Sequence, residues 1–242
     1  PKIYTPFTDS IETFQQRNQA TITECVSNLR TRGINSSYAC TYYPWVQILD
    51  TISNQLLWAP PSVIALGTLA SSEAKSEVWF APAGFNRGGL TEGAAGWPVT
   101  NITRRLTSKD RDNLYEANIN PIATFPSEGI VVFGQKTLQV TRSALDRINV
   151  RRLLIYIKKQ VSRISSGILF DQNVQVTWNR FLGEVRPFLA SVQSRLGLSE
   201  WKVILDSTTT TPDLIDQNIM YAKIFLKPAR AIEFNYENRC IF

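Results

Sequence analysis

Residues 129–164 read GIVVFGQKTLQVTRSALDRINVRRLLIYIKKQVSRI, and two periodicities within them decide the fold class. Gly129-Ile130-Val131-Val132-Phe133-Gly134 is an apolar run of strand length with glycine at both ends, the form of a buried strand. Beyond it Val150, Leu153, Leu154, Ile157, Val161 and Ile164 recur at steps of three and four. That spacing holds them within about 100° of one another on a helical wheel and predicts one long amphipathic helix. A buried strand followed by such a helix calls for a sheet with helices packed against it.

The pattern continues on both sides. Toward the C-terminus, Phe181, Leu182, Val185, Phe188, Leu189 and Val192 predict a second helix from about Thr177, which Pro187 should bend or break. Residues 201–205 read as a strand and Thr211-Pro212-Asp213 as a helix start. Residues 219–226 and 231–236 form two β-rich runs separated by Lys227-Pro228-Ala229. Toward the N-terminus, Thr107 with Asp110 caps a helix through Leu114, and five glycines between 84 and 96 read as a long loop. Pro60 and Pro61 open a helix with Val63, Leu66 and Ala70 on one side. Residues 38–49 read as extended, with Pro44 marking an edge strand or an interruption. A first helix, capped by Asp9 or Ser10, carries Ile22, Val26 and Leu29 and ends at Gly33. The expected class is α/β, mixed sheets with packed helices, in two domains, 1–105 and 106–242.

The 242 residues contain no histidine, which removes Ser-His-Asp and Cys-His nucleophiles and most catalytic zinc sites. Cys25, Cys40 and Cys240 fit neither a disulfide framework nor a CxxC metal pattern and read as reduced thiols. The longest uncharged stretch, 51–72, holds two prolines and many polar residues and makes a poor membrane span. Gly84-Phe85-Asn86-Arg87-Gly88-Gly89 lacks the spacing of a phosphate cradle. Asp206 with the hydroxyls of Thr208 to Thr211, followed by Pro212, reads as helix capping, and Asp213 with Asp216 has no third ligand. No catalytic residue, metal or cofactor is assigned. The chain opens on Pro1 without an initiator methionine, and a fragment lacking its N-terminal part is expected.

The net charge of +6 has an address. Residues 142–163 hold seven basic side chains and one acid, Asp146, which accounts for the whole excess; elsewhere nineteen stand against nineteen. Arg147, Arg151, Arg152, Lys158, Lys159 and Arg163 share an arc of about 160° beside the apolar stripe, without an interleaved acid. Like charges at such spacing repel unless a partner relieves them. Nucleic acid, an anionic membrane and an acidic protein surface all meet that condition.

Several segments, in order, resemble the tail sheath proteins of contractile-tailed bacteriophages, a family related to R-type pyocin and type VI secretion sheaths. They are Val78-Trp79-Phe80-Ala81-Pro82-Ala83-Gly84 with Arg87-Gly88, Asn118-Ile119-Asn120-Pro121-Ile122 running to Thr137-Leu138, and Asn149-Val150-Arg151-Arg152-Leu153-Leu154-Ile155-Tyr156-Ile157. Asp206-Ser207-Thr208-Thr209-Thr210-Thr211-Pro212, Pro228-Ala229 and Glu233-Phe234 complete the set. The resemblance implies a structural subunit without catalysis, which polymerises around a tail tube and contracts to drive the tube through the host envelope. It implies an outer or middle domain at 1–105 and an inner domain at 106–242 facing the tube. The implied partners are further copies, the tube protein, and baseplate and tail terminator proteins; the implied location is the virion, after assembly in the host cytoplasm. The six basic residues would meet the tube or a neighbouring subunit. Chain termini in the family add strands to neighbouring sheets, a role suited to the alternation of Ile232, Phe234 and Tyr236; a hairpin within its own sheet is the other reading of that run. No family arm precedes Pro1, so the isolated chain is expected to be monomeric or weakly associated. A nucleic-acid-binding domain using residues 147–163 is the alternative function.

Overall fold

A computed structural model describes residues 2–4, 21–93 and 96–233. The chain divides into two compact units, Pro1–Arg152 and Leu153–Phe242.

In the first unit, β1 (Lys2–Tyr4), β2 (Ala39–Tyr43), β6 (Ile119–Phe125) and β7 (Gly129–Val132) form one sheet in the order β1-β2-β6-β7. The first three strands run parallel and β7 is antiparallel to β6. Every residue of β2 is buried, as expected of a parallel strand covered on both faces. Cys40 and Tyr42 enter one apolar cluster with Ile64, Leu69, Ile122 and Val132. Ala39 and Tyr43, pointing the other way, enter a second with Cys25, Leu29, Leu114 and Ile119. β3 (Val46–Asp50), β4 (Gln55–Ala59) and β5 (Val99–Ile102) make an antiparallel sheet ordered β4-β3-β5. Helices α1 (Ile22–Thr31), α2 (Pro61–Lys75) and α3 (Ser108–Glu116) also belong to the unit. Capping boxes open α1 (Thr21 with Glu24) and α3 (Thr107 with Asp110).

Three expectations change here, and for Pro44 the interruption, one of its two expected readings, is what the structure has. The Asp9 or Ser10 cap lies outside the described residues, and Thr21 caps α1. Pro44 interrupts the extended stretch, leaving β2 in the interior of one sheet and β3 in another. The glycine-dense segment follows β7 as a partner: Gly84 N–H donates to the Val132 carbonyl, Val132 N–H to Gly88, and Leu90 N–H to Ile130. A Cβ on Gly88 would lie 2.6 Å from the Val132 carbonyl oxygen, so that approach requires glycine. Finally, the boundary expected near 105 falls inside the first unit, because Thr41 of β2 pairs with Ile119 of β6 and holds both sides of residue 105 in one sheet.

α4 (Ile148–Ser166) begins in the first unit and continues into the second. The second unit then holds α5 (Gln175–Ser194), β8 (Leu198–Ile204), the short α6 (Pro212–Asp216) and β9 (Lys223–Pro228). Pro187 does not end α5, which buries Trp178, Phe181, Leu182, Val185, Leu189 and Val192. Tyr156 of α4 packs on Phe188, ring centroids 6.0 Å apart. β8 and β9 form a two-stranded antiparallel sheet, tied to α5 by the Trp201 indole N–H donating to Gln193 at 2.9 Å. Residues 219–222 precede β9 without joining it; Thr210 Oγ1 accepts from Tyr221 N–H and donates to its carbonyl, fixing the entry to the strand. Residues 231–233 are in no strand, and Phe234 and Tyr236 lie outside the described residues.

Candidate assembly surface

The cations that share an arc on the wheel meet different fates. Arg147 precedes α4 in extended backbone, half-buried, and pairs with Asp146 at 3.2 Å. Arg151 and Arg152 are each 8% exposed. The Arg151 guanidinium donates to Ser37 Oγ and lies 4.1 Å over the Tyr38 ring. Arg152 donates to Glu73 Oε2 at 2.7 Å and to the Leu69 carbonyl at 3.4 Å, which pins the start of α4 to α2. Burial lowers the Arg152 pKa, and the Glu73 charge opposes that shift. These two arginines are buried and engaged within the first unit, which corrects the expectation that all six cations line one docking face. A wheel assigns a direction to each residue but carries no information about what packs there.

Lys158, Lys159 and Arg163 are exposed, and none forms an ion pair among the described residues. The three occupy the C-terminal half of α4 and remain the outward part of the basic arc.

The second feature is the two-stranded sheet. Among the described residues neither β8 nor β9 has a partner on its outer edge, so both edges offer backbone N–H and carbonyl groups. The inner face carries buried Leu198 and Val203 with half-buried Ile224 and Leu226, and the outer face carries Lys202, Lys223, Phe225 and Lys227. Ile232, the first of the three residues expected to add to a neighbour's sheet, is 85% exposed.

Reading the sequence missed a third surface. Leu56, Leu57 and Trp58 of edge strand β4 and Val63 and Leu66 of α2 are exposed. The expected helical stripe of Val63 and Leu66 thus faces outward, while α2 buries Ile64, Ala65 and Leu69. The uncharged run 51–72 was the available signal.

Burial pushes the Cys25 and Cys40 thiols up to about 12, leaving both protonated at neutral pH. Asp206 accepts from the Thr208 hydroxyl and backbone N–H, a local turn that lowers its pKa. Among the described residues no three His, Cys, Asp or Glu side chains group to hold a metal, and no helix is long and apolar enough to cross a membrane.

The stretch containing the exposed cations and the open sheet, residues 140–238, matches the family described as phage tail sheath C-terminal domain. The chain carries a phage tail sheath C-terminal domain. Over 201 residues, 83% of its length, it is 33% identical to the tail sheath protein of Vibrio phage KVP40 and 32% identical to that of Enterobacteria phage T4. It spans 29% and 30% of those proteins, about three tenths of their length. The fold is shared with the sheath of an extracellular contractile injection system, the PVC sheath complex in its contracted state. That match has a TM-score of 0.75 at 24% identity and covers 97% of this chain and 62% of the other. The sheath domain thus takes in the whole of β8–β9 and α5, and its matched residues begin ahead of α4.

Proposed function

We propose that this protein is a structural subunit of a contractile phage tail sheath, which polymerises around a tail tube and shortens to drive the tube through the host envelope. It works as a virion component, without catalysis, and its partners are copies of itself, the tube and the proteins that cap the sheath at baseplate and terminator. The observation that carries the reading is the two-stranded β8–β9 sheet within the sheath domain, open on both edges among the described residues. An open edge accepts an extended segment through backbone hydrogen bonds, which bind without demanding a particular sequence. A lattice joined this way stays connected while its subunits turn. We assign that segment to the chain's tail, with Ile232, Phe234 and Tyr236 on its apolar face.

Lys158, Lys159 and Arg163 are assigned to the tube. Solvated pairs contribute about 0–1 kcal/mol each, so such contacts hold collectively and release together. Arg151 and Arg152, occupied within the first unit, are not available for that role. Their burial also weakens the nucleic-acid alternative, which needs a continuous cationic helix.

Electron microscopy of the full-length protein mixed with purified tail tubes tests the reading. Wild type should decorate tubes with helical sheath, and the Lys158→Glu, Lys159→Glu, Arg163→Glu variant should leave them bare. Duplex DNA bound by wild type with a steep salt dependence, and lost in that variant, would reverse the assignment.

A further inference from the structure

The turn that joins α4 to α5 breaks two rules at one residue. Phe170 is fully exposed, and its φ is 71°. Left-handed backbone is common where a helix ends, but glycine or asparagine normally supplies it, and a bulky aromatic side chain there is strained. Gly167 directly follows α4, yet the left-handed position comes three residues later, on a phenylalanine in water. Leu169 beside it is exposed, as are Val174 and Val176 at the opening of α5.

The turn itself is tied down. Ile168 is buried at its base, and its carbonyl accepts from the Asp171 N–H at 3.2 Å. Asp171 pairs with Arg180 of α5 at 3.0 Å. Asn173 Oδ1 accepts from the indole N–H of buried Trp178 at 2.7 Å, and the Asn173 amide donates to the Ile219 carbonyl at 3.2 Å. These contacts fix the chain around Phe170, and none of them uses its ring. Strain and exposure both count against this residue in the isolated fold, and an asparagine at 170 would remove both. A rule broken without a gain inside the chain calls for a gain outside it.

Arg163 stands three residues before the end of α4 and Phe170 four residues beyond it. The cations assigned to the tube and the apolar tip thus share one end of the helix. Exposed cations alone make a weak contact, because solvated pairs contribute little and salt screens them. Durable interfaces set an aromatic anchor at the centre and charge at the rim.

We infer that Phe170, with Leu169, is the apolar anchor of the surface assigned to the tube: its ring enters an apolar recess on the tube protein, and Lys158, Lys159 and Arg163 flank it against acidic side chains. The inference rests on the tube reading above and adds the part of the contact that salt does not screen. The fixed turn presents the ring ready for insertion, so little ordering is lost on binding. Continuity favours the tube over a second copy as occupant: the tip adjoins the exposed cations, whereas the surfaces assigned to neighbouring copies are the edges of β8 and β9.

The test uses the whole chain, purified tail tubes and co-sedimentation across a salt series, with urea unfolding of each form in parallel. Phe170→Asn supplies a residue at home in left-handed backbone. Its urea midpoint should equal or exceed that of wild type, while its affinity for tubes should fall at least tenfold at every salt concentration. Phe170→Leu, which keeps an apolar tip, should retain more affinity than Phe170→Asn. The Lys158→Gln, Lys159→Gln, Arg163→Gln variant should instead lose the salt dependence and keep a residual binding, which the further change Phe170→Asn abolishes. Unchanged tube affinity in Phe170→Asn, with the glutamine variant impaired, overturns the anchor and leaves the tube reading standing. A urea midpoint lowered by Phe170→Asn shows that the ring is held within the chain and overturns the anchor as well. Self-association that falls as far as tube binding, measured without tubes, makes a second copy the occupant and overturns the tube anchor. Wild type that leaves tubes unbound removes the tube reading itself, and this inference with it.

Discussion

The two units treat the cations of α4 differently. The first encloses two of them: Arg151, over the Tyr38 ring, and Arg152, paired with Glu73, are each 8% exposed. The second leaves Lys158, Lys159, Arg163, Lys202, Lys223 and Lys227 in water. Arg152 and Lys158 are six residues apart on one helix, so local sequence chemistry is not the cause. The difference is what stands opposite. α2 supplies a carboxylate and a carbonyl for Arg152, whereas nothing described answers Lys158. A buried charge with partners serves the fold, and an unpartnered exposed one is available to another molecule. The variants and conditions below test that division through stability.

Alkaline pH should separate the units most. Cys25 and Cys40 titrate at about 12 in the folded chain against an ordinary 9.0, and burial is the main cause for both. Raised folded values mean that the unfolded chain loses these protons first, so stability is intact below pH 9 and falls as pH climbs toward 12. Two thiols at about 1.4 kcal/mol per unit make roughly 3 kcal/mol by pH 10. Urea unfolding at pH 8 and pH 10 measures the loss. Cys25→Ala with Cys40→Ala should flatten the pH dependence while lowering stability at pH 8.

Arg152→Ala comes next. It removes a charge-assisted bond and leaves a gap beside Tyr42, while Glu73, half-exposed, recovers water. The expected loss is about 2 kcal/mol in urea unfolding at neutral pH. A wild-type midpoint would erase the distinction between pinned and free cations on α4. Tyr38→Ala should cost less, about 1 kcal/mol, because it removes only the ring under Arg151 and leaves the Ser37 bond.

These magnitudes also mark how far the sequence could be read. The strand at 129–132, the helices at 148–166 and 175–194 and the two threonine caps follow from local period and cap chemistry, and the structure has them. The parallel pairing of β2 with β6 joins residues nearly eighty apart, and the domain boundary expected near 105 missed for that reason. β4 was also missed, since its outward Leu56, Leu57 and Trp58 break the alternation that announces a half-buried strand. For the candidate site, composition located the basic segment. Dividing it into pins and free cations required knowing that Ser37, Tyr38 and Glu73 arrive there from more than seventy residues away.

The smallest effect on stability is the sharpest test of the comparison. Replacing Lys158, Lys159 and Arg163 with glutamine removes three exposed charges that pair with nothing described, so the urea midpoint should move by no more than about 0.5 kcal/mol. Removing mutual repulsion along α4 could even raise it slightly. Binding to tail tubes should behave differently. Wild-type association measured by co-sedimentation should weaken as salt rises, because screened surface charges carry it, and the glutamine variant should bind weakly with little salt dependence. A variant that unfolds early would show that these side chains, like Arg152, are held within the chain. One that binds tubes as wild type does would move the docking face elsewhere, and the exposed Leu56, Leu57, Trp58, Val63 and Leu66 surface of the first unit would then be the next to alter.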